Sequence, residues 1–185
     1  MTIFEKKELE RNKFRKLRDD ISLDQREYVE KNVKLYVDSF GKEYKNNGYI
    51  AIYWPLKNEV DIRSLKKKNS LALPRCKEKK ELVFYPWDEK PLTKDSEGIL
   101  SPNNSSPLSH LQISMILVPC LSVDKNLIRL GYGGGYFDKL RKDNDWRNVP
   151  CIGVLTSNCV STIPLTRAEW DIPLSGFITE KEIFV

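Results

Sequence analysis

Histidine is almost absent from this sequence of 185 residues, which contains only His110, and its four cysteines form no Cys-x-x-Cys pair. This scarcity argues against a zinc site and against a histidine-based catalytic triad. No apolar run approaches the ~20 residues that a membrane-spanning helix needs. The amino terminus becomes charged within a few residues and lacks the apolar core of a signal peptide. We therefore expect a cytoplasmic protein whose thiols are buried and reduced.

The composition is that of an ordinary globular protein, with 40% hydrophobic and 31% charged residues. The length predicts a single domain with a sizeable core. A net charge of +5 is compatible with polyanionic partners, including nucleic acid, but is too modest to choose among them.

The most informative stretch is Arg129–Asp138, in which four of five consecutive positions are glycine: Gly131, Gly133, Gly134 and Gly135. Such a turn can adopt positive φ angles and can point several N–H groups at one phosphate. The residues from Tyr136 onward predict a helix, whose positive end would add to the same pocket. Asp138 would then face the phosphate, where a cation such as Mg²⁺ would reconcile the two negative charges. The alternative is a tight structural turn in which Asp138 stabilises the helix start.

The amino-terminal segment predicts a helix over residues 4–20, with Phe14, Leu17 and Ile21 buried on one side. Four cations recur along this helix: Lys7, Arg11, Arg15 and Arg18. Taken alone, such a stripe is more typical of a solvated face than of an anion site.

Ser22 and Gln25 have the spacing of a capping box, which predicts a second helix from residue 23 to a break at Asn46-Asn47-Gly48. Asn58 is predicted to cap a short helix that carries Glu59 and Asp61 in its first turn. Residues 77–81 are predicted to form a solvent-facing turn. Residues 86–110 are predicted to form a surface excursion and are a candidate part of a ligand lid.

Strands are predicted at residues 48–54, 71–73, 82–85, 113–118 and 151–155 and near the carboxyl terminus. Their alternation with helices predicts an α/β domain with a mainly parallel sheet. In such sheets ligands bind beyond the carboxyl ends of the strands. We therefore expect the segment 55–59, the loop after Val118 and the segment after Leu155 to open on one edge.

Arg129–Asp138 resembles the glycine-rich signature of the 5-formyltetrahydrofolate cyclo-ligases, also called 5,10-methenyltetrahydrofolate synthetases. Other collinear pieces are similar to motifs of that family and extend the resemblance over nearly the whole chain: Lys7 with Arg11, Tyr53 to Glu59, Leu73-Pro74-Arg75, and Asp171 to Glu180. The resemblance implies one domain with helices on both faces of the sheet, similar to phosphosugar isomerases and coenzyme A transferases.

The resemblance also implies an ATP- and Mg²⁺-dependent ring closure of 5-formyltetrahydrofolate, with or without a polyglutamate tail, to 5,10-methenyltetrahydrofolate. The formyl oxygen would attack the γ-phosphate of ATP, the 10-nitrogen would close on the activated carbon, and phosphate would leave. We expect a monomer with no nucleic-acid or membrane partner.

Site residues follow from the same resemblance. The predicted ATP-binding residues are Lys7, Arg11, Arg129, Leu130, Gly131, Tyr132, Gly133, Gly134, Gly135 and Tyr136. The predicted folate-binding residues are Tyr53, Pro55, Glu59 and Trp87. The predicted Mg²⁺ ligands are Asp138 and Asp171, and the predicted catalytic residues are Arg129, Tyr136 and Asp138. Structural roles remain open for Glu59 as a helix-end carboxylate, Trp87 as a core residue and Asp171 as a turn residue.

Two competing interpretations remain at this point. One is another phosphate-ligand enzyme on the same fold, which would not need ATP. The other is a nucleic-acid-binding regulatory module that uses the basic first helix, with strongly salt-dependent binding. The short basic stripe and its flanking acids argue against the second.

Overall fold

The computed structural model describes residues 1–44, 48–103 and 106–185. The predicted break at Asn46 and Asn47 lies outside the described residues. The helices are α1 (Ile3–Asp19), α2 (Leu23–Tyr44), α3 (Tyr136–Leu140) and α4 (Asn144–Arg147). Short 3₁₀ helices span Arg63–Lys67, Glu78–Lys80, His110–Gln112 and Ser157–Cys159.

The strands are β1 (Tyr49–Ala51), β2 (Leu71–Lys77), β3 (Glu81–Pro86), β4 (Thr93–Lys94), β5 (Leu100–Ser101), β6 (Ile113–Pro119), β7 (Ser122–Asp124), β8 (Arg129–Leu130), β9 (Cys151–Val154), β10 (Val160–Ser161), β11 (Gly176–Ile178) and β12 (Ile183–Phe184).

In the described part of the chain, seven of these strands form a central sheet in the order β12-β11-β9-β6-β1-β2-β3. The five inner strands pair in parallel, whereas β3 and β12 pair antiparallel at the two edges. The predicted mainly parallel α/β sheet is confirmed. β8, which precedes the glycine turn, belongs to a separate small sheet with β7 and β10.

The central strand β6 explains why its sequence is a continuous apolar run. Successive side chains of a strand point to opposite faces, and here Met115 and Leu117 pack in one core cluster while Ile116 and Val118 pack in the other. The helix α2 covers the first cluster, and α1 covers the second. Helices therefore lie on both faces of the sheet, as predicted.

The α2 start is also as predicted. The Ser22 hydroxyl accepts from the Gln25 N–H at 3.2 Å, and the Gln25 side chain accepts from the Ser22 N–H at 3.2 Å. These bonds satisfy donors that the first turn of a helix leaves unpaired.

The predicted helix after Asn58 is wrong. Asn58 lies in a turn with a φ of 67°, and its side-chain amide donates to Asp19 at 2.7 Å. The following helix begins only at Arg63, whose N–H binds the Asp61 carboxylate at 3.0 Å. The strand before this segment is also shorter than predicted, because β1 ends at Ala51.

The four cysteines are free and buried. Burial raises the pKa of Cys76 and of Cys120 to about 12. Across the described residues, the structure contains no helix with the length and apolar character needed to cross a membrane.

Candidate active site

A cleft of about 710 Å³ lies beyond the carboxyl ends of β1, β2 and β6. Its wall combines the glycine turn with one face of α1 and the loop after β1. All of the sequence-predicted site residues line it except Pro55 and Trp87. The segment after Leu155 opens instead on a smaller neighbouring cavity, which contains Thr156 and Cys159.

The glycine turn uses its glycines for two different reasons. Gly133 and Gly135 have φ angles of 104° and 76°, in the left-handed region that glycine tolerates. A Cβ on Gly131 would stand 2.9 Å from the Arg129 guanidinium, and one on Gly134 would stand 3.0 Å from the Tyr136 ring. Two glycines therefore permit the bend, and two leave room for side chains that fold back over it.

Arg129 lies under this turn and is held from three sides. Its guanidinium donates to Asp138 at 3.1 Å and to the Pro119 carbonyl at 3.2 Å, and it lies 5.3 Å from the centre of the Phe137 ring. The Arg129 side chain is 9% exposed and the Asp138 side chain 38% exposed. The sequence did not predict this pair, in which Asp138 fixes the position of a nearly buried cation.

Lys7 on α1 forms an ion pair with Asp171, a residue 164 positions away in the chain. The same carboxylate oxygen accepts from the Ala168 N–H at 2.7 Å. Asp171 is thus a turn residue as well as an acid on the cleft wall. Lys7 and Asp171 are side by side, although the sequence assigned them to ATP and to Mg²⁺ separately.

Arg11 points at the glycine turn. Its Nε donates to the Gly131 carbonyl at 3.0 Å, and its Nη1 donates to Glu8 at 2.9 Å. Of the basic stripe on α1, Arg15 remains half-buried beside Glu8, whereas Lys7 and Arg11 face the cleft. The solvated-face interpretation is therefore wrong for Lys7 and Arg11, and a nucleic-acid surface built on this stripe loses its main support.

Glu59 lies near a hydrogen bond that joins α1 to the glycine turn. Arg18 donates to the Tyr132 hydroxyl at 2.7 Å, and Tyr132 lies beside Glu59. Oε2 of Glu59 accepts from the Leu56 N–H at 2.7 Å, while Oε1 is buried and has no hydrogen-bond partner among the described residues. Burial raises the pKa of Glu59, and the Leu56 N–H partly offsets this.

Tyr53 lines the cleft, but its hydroxyl is already engaged, since it donates to the Val60 carbonyl at 2.7 Å. Burial, followed by the nearby Glu59, raises the pKa of Tyr53 well above its ordinary value. Tyr53 can therefore offer a ligand ring surface rather than an ionised oxygen.

Trp87 lies outside this cleft. Its ring meets Trp54 edge-on at 6.1 Å and carries Lys66 at 4.4 Å over its face. It lines a shallow surface pocket with Arg63. Trp87 is therefore no candidate for a contact in the cleft, and neither is Pro55. Trp54, next to Tyr53 in the same motif, lines the cleft instead.

The excursion between β3 and β6 supplies another wall that the sequence only suggested. The hairpin of β4 and β5 is tied down by Arg75, which donates to Ser101 at 2.9 Å and to Thr93 at 3.1 Å. From this hairpin Glu97 accepts a 2.6 Å hydrogen bond from the Tyr136 hydroxyl. That bond raises the pKa of Tyr136 to about 12.

The turn Glu78–Lys80, predicted to face solvent only, contributes Lys80 to the cleft. Lys80 is a cation that reasoning from the sequence missed. In a single sequence nothing distinguishes it from Lys77 and Lys79, because only the tertiary fold brings this turn beside the glycines.

The cleft contains carboxylates of the type that binds Mg²⁺. Among the described residues no group of three or more His, Cys, Asp and Glu side chains forms a metal site. Mg²⁺ is usually bound through one or two carboxylates and substrate phosphates, so Asp138 and Asp171 suffice by type. Asp138 is the better placed, since Asp171 is 7% exposed and already bound to Lys7 and Ala168.

The sequence model of the 5-formyltetrahydrofolate cyclo-ligase family matches residues 3–180 of this chain. A curated relative from Haemophilus influenzae, named 5-formyltetrahydrofolate cyclo-ligase, is 27% identical over 183 residues, which is 92% of this chain and 95% of the relative. A second, from Schizosaccharomyces pombe, is named a probable 5-formyltetrahydrofolate cyclo-ligase. It is 30% identical over 116 residues, 56% of this chain and 57% of the relative.

Two solved structures are also similar to this chain. The NMR structure of Aquifex aeolicus 5,10-methenyltetrahydrofolate synthetase matches with a TM-score of 0.79 and 29% identity, over 96% of this chain and 91% of that one. A 5,10-methenyltetrahydrofolate synthetase from Mycoplasma pneumoniae matches with a TM-score of 0.69 and 21% identity, over 94% and 98%. At that lower identity the second match supports the fold alone.

Proposed function

Since this chain belongs to the 5-formyltetrahydrofolate cyclo-ligase family, we propose that it converts 5-formyltetrahydrofolate and ATP into 5,10-methenyltetrahydrofolate, ADP and phosphate. The observation that carries the proposal is the convergence of a glycine turn, four cations and the buried carboxylate of Glu59 on one cleft. The cations suit a triphosphate, and the carboxylate suits the N–H groups of a folate.

The nucleotide phosphates would lie along Gly131 to Tyr136. Phosphoryl transfer needs positioned cations and N–H donors more than it needs a covalent nucleophile. Arg129, fixed by Asp138, and Arg11, fixed by the Gly131 carbonyl, are preorganised for this role. Lys7 would add a third charge from the same side of the cleft.

Asp138 and Asp171 are the residues that would hold Mg²⁺, with Asp138 the better placed of the two. When bound, the ion would neutralise charge on the β- and γ-phosphates. In both carboxylates the protein supplies hard oxygen ligands at the edge of the phosphate site, as this ion prefers.

The folate would occupy the side of the cleft that contains Tyr53, Trp54 and Glu59. Oε1 of Glu59 is the strongest reason for this choice, because a buried acceptor without a partner is stabilised by a ligand N–H. The rings of Tyr53 and Trp54 offer apolar surface for the pterin.

In the chemical step the formyl oxygen of the folate would attack the γ-phosphorus of ATP, and ADP would leave. The 10-nitrogen would then bond to the formyl carbon and lose its proton to water, and the carbon–oxygen bond would break to release phosphate. Arg129 would stabilise the negative charge of the transferred group. The Tyr136 hydroxyl donates to Glu97 in this structure, so it would become a second donor to that group only by exchanging Glu97 for a phosphate oxygen.

The test is direct. Purified protein is mixed with 5-formyltetrahydrofolate, Mg²⁺ and ATP, and the near-ultraviolet absorbance of the methenyl product is followed. We expect product with ATP and none without it. Failure to form product with any nucleotide would refute the proposal and would favour a phosphate-ligand enzyme of another kind on this fold. A monomeric state, a cytoplasmic location and the use of polyglutamylated folate remain predictions.

A further inference from the structure

The turn Glu78–Lys80, between β2 and β3, has an unusual backbone. Lys79 and Lys80 have φ angles of 55° and 57°, in the left-handed region that side chains with a Cβ rarely adopt. Two such lysines in succession are unfavourable unless their surroundings hold them there, and strain of this kind is concentrated at functional sites.

A contact from the glycine-turn side holds this turn. Lys139, on α3, donates from its Nζ to the Lys79 carbonyl at 2.6 Å. Because α3 begins directly after Gly135, this bond links the lysine turn to the segment that follows the glycine turn. The lysine turn and the glycine turn therefore form two facing walls of one part of the cleft.

The side chain of Lys80 reaches across the cleft to the glycine turn. Its Nζ lies 3.9 Å from the place where a Cβ on Gly135 would stand. Lys80 lines the main cleft together with Gly133, Gly134 and Gly135. Lys79 does not line that cleft, and lines only a shallow outer pocket beside it, which Lys80 also borders.

Charge pairing separates Lys80 from the other cations of the cleft. Lys7 is paired with Asp171, Arg11 with Glu8, and Arg129 with Asp138. Among the residues that the structure describes, Lys80 forms no ion pair, although Glu78 and Glu97 are in its neighbourhood. A cation without a carboxylate partner, lying over a glycine turn, is positioned for an anion that comes from outside the chain.

We propose that Lys80 binds a phosphate group of the nucleotide and is a further substrate-binding residue of this site. The inference rests on the proposed function, because it takes the glycine turn as the phosphate site. An anion at this place could also be a carboxylate of the folate tail. The position of Nζ over Gly135 favours phosphate, since the phosphates would lie along the same glycines.

The experiment measures ATP and ADP binding by calorimetry with Mg²⁺ and without folate, so that ring closure is not needed. Lys80→Gln should weaken ATP binding by about tenfold, the effect of losing one charge-assisted hydrogen bond. Lys80→Arg should retain most of the affinity. Lys79→Gln is the matched control: it removes the same charge from the adjacent left-handed residue, and screening of this exposed charge should limit its effect to about twofold.

Lys80→Gly provides a second variant in case glutamine disturbs the turn, because glycine accepts this backbone readily. It should match Lys80→Gln in affinity and should not melt at a lower temperature than Lys80→Gln. Unchanged ATP affinity in both variants would overturn the inference while leaving the proposed function intact. A rise in the folate KM with unchanged ATP binding would assign Lys80 to the folate tail and overturn it too. If the wild-type protein bound no nucleotide, the proposed function would fail together with the inference.

Discussion

The ion pair between Lys7 and Asp171 permits a quantitative test of how the cleft is held together. The side chains of Lys7 and Asp171 are 13% and 7% exposed, so both charges are largely removed from water. The perturbation is a double-mutant cycle of Lys7→Met, Asp171→Asn and the combined variant. Asparagine can still accept the hydrogen bond from the Ala168 N–H, so Asp171→Asn mainly removes the charge.

Removing one partner of a buried pair leaves the other charge uncompensated, which typically costs ~3–5 kcal/mol. Here the pair lies at the wall of an open cleft and Lys7 retains some access to water, so we expect about 2–3 kcal/mol for each single variant. For a chain of this length that corresponds to a fall in Tm of about 4–12 °C. The combined variant leaves neither charge alone, so the two effects should fall short of additivity by about 1–3 kcal/mol.

Chemical denaturation measures the free energies of unfolding, and steady-state kinetics gives the KM for ATP on the same four proteins. Both single variants should raise the KM for ATP, because Lys7 is the proposed phosphate contact and Asp171, its ion-pair partner, is a proposed Mg²⁺ ligand. Additive losses of stability would refute the reasoning, since they would mean that the two side chains do not interact in solution.

Three further predictions concern other residues of the site. Asp138→Asn should lower turnover by about 100-fold or more, because it removes a preorganised charge at a phosphoryl-transfer site. It should also raise the Mg²⁺ concentration needed for activity. Near wild-type turnover at limiting Mg²⁺ would contradict the role of Asp138 as a metal ligand. Glu59→Gln should raise the KM for folate and leave nucleotide affinity unchanged. Burial raises the pKa of Glu59 above 4.5, so its contribution to folding is present below pH 4.5 and is lost as pH rises through the raised value. Melting curves should therefore show Glu59→Gln gaining stability relative to wild type with rising pH, and a constant difference would argue against the buried acid. Trp87→Phe should leave the KM for folate unchanged. A marked increase in that KM would show that Trp87 contacts the folate after all.

The parts of the fold that could be predicted are those with local causes. The capping box at Ser22 starts α2, and the apolar run of β6 marks a strand buried on both faces, because each pattern is complete within a few residues. The glycines of residues 131–135 indicate a tight turn for the same reason, while its role in binding phosphate stays a prediction.

The wrong predictions concern residues whose hydrogen-bond partners lie far away in the chain. Asn58 has the preference of a helix cap, but its amide binds Asp19, 39 positions earlier, and the backbone turns instead. The basic stripe on α1 has the pattern of a solvated face, yet Lys7 and Arg11 are drawn inward by Asp171 and Gly131, more than a hundred positions away. A single sequence does not contain these pairings.

The burial of all four cysteines has a practical consequence for spectroscopy. Thiolate, and not thiol, reacts with maleimide-type dyes, and burial shields these sulfurs and raises the pKa of each. A dye should therefore leave the native chain unlabelled at neutral pH. One added cysteine, for example Lys79→Cys on the exposed turn beside the cleft, would then carry the only fluorophore. Such a probe would report ligand arrival in real time without prior removal of native thiols from the core.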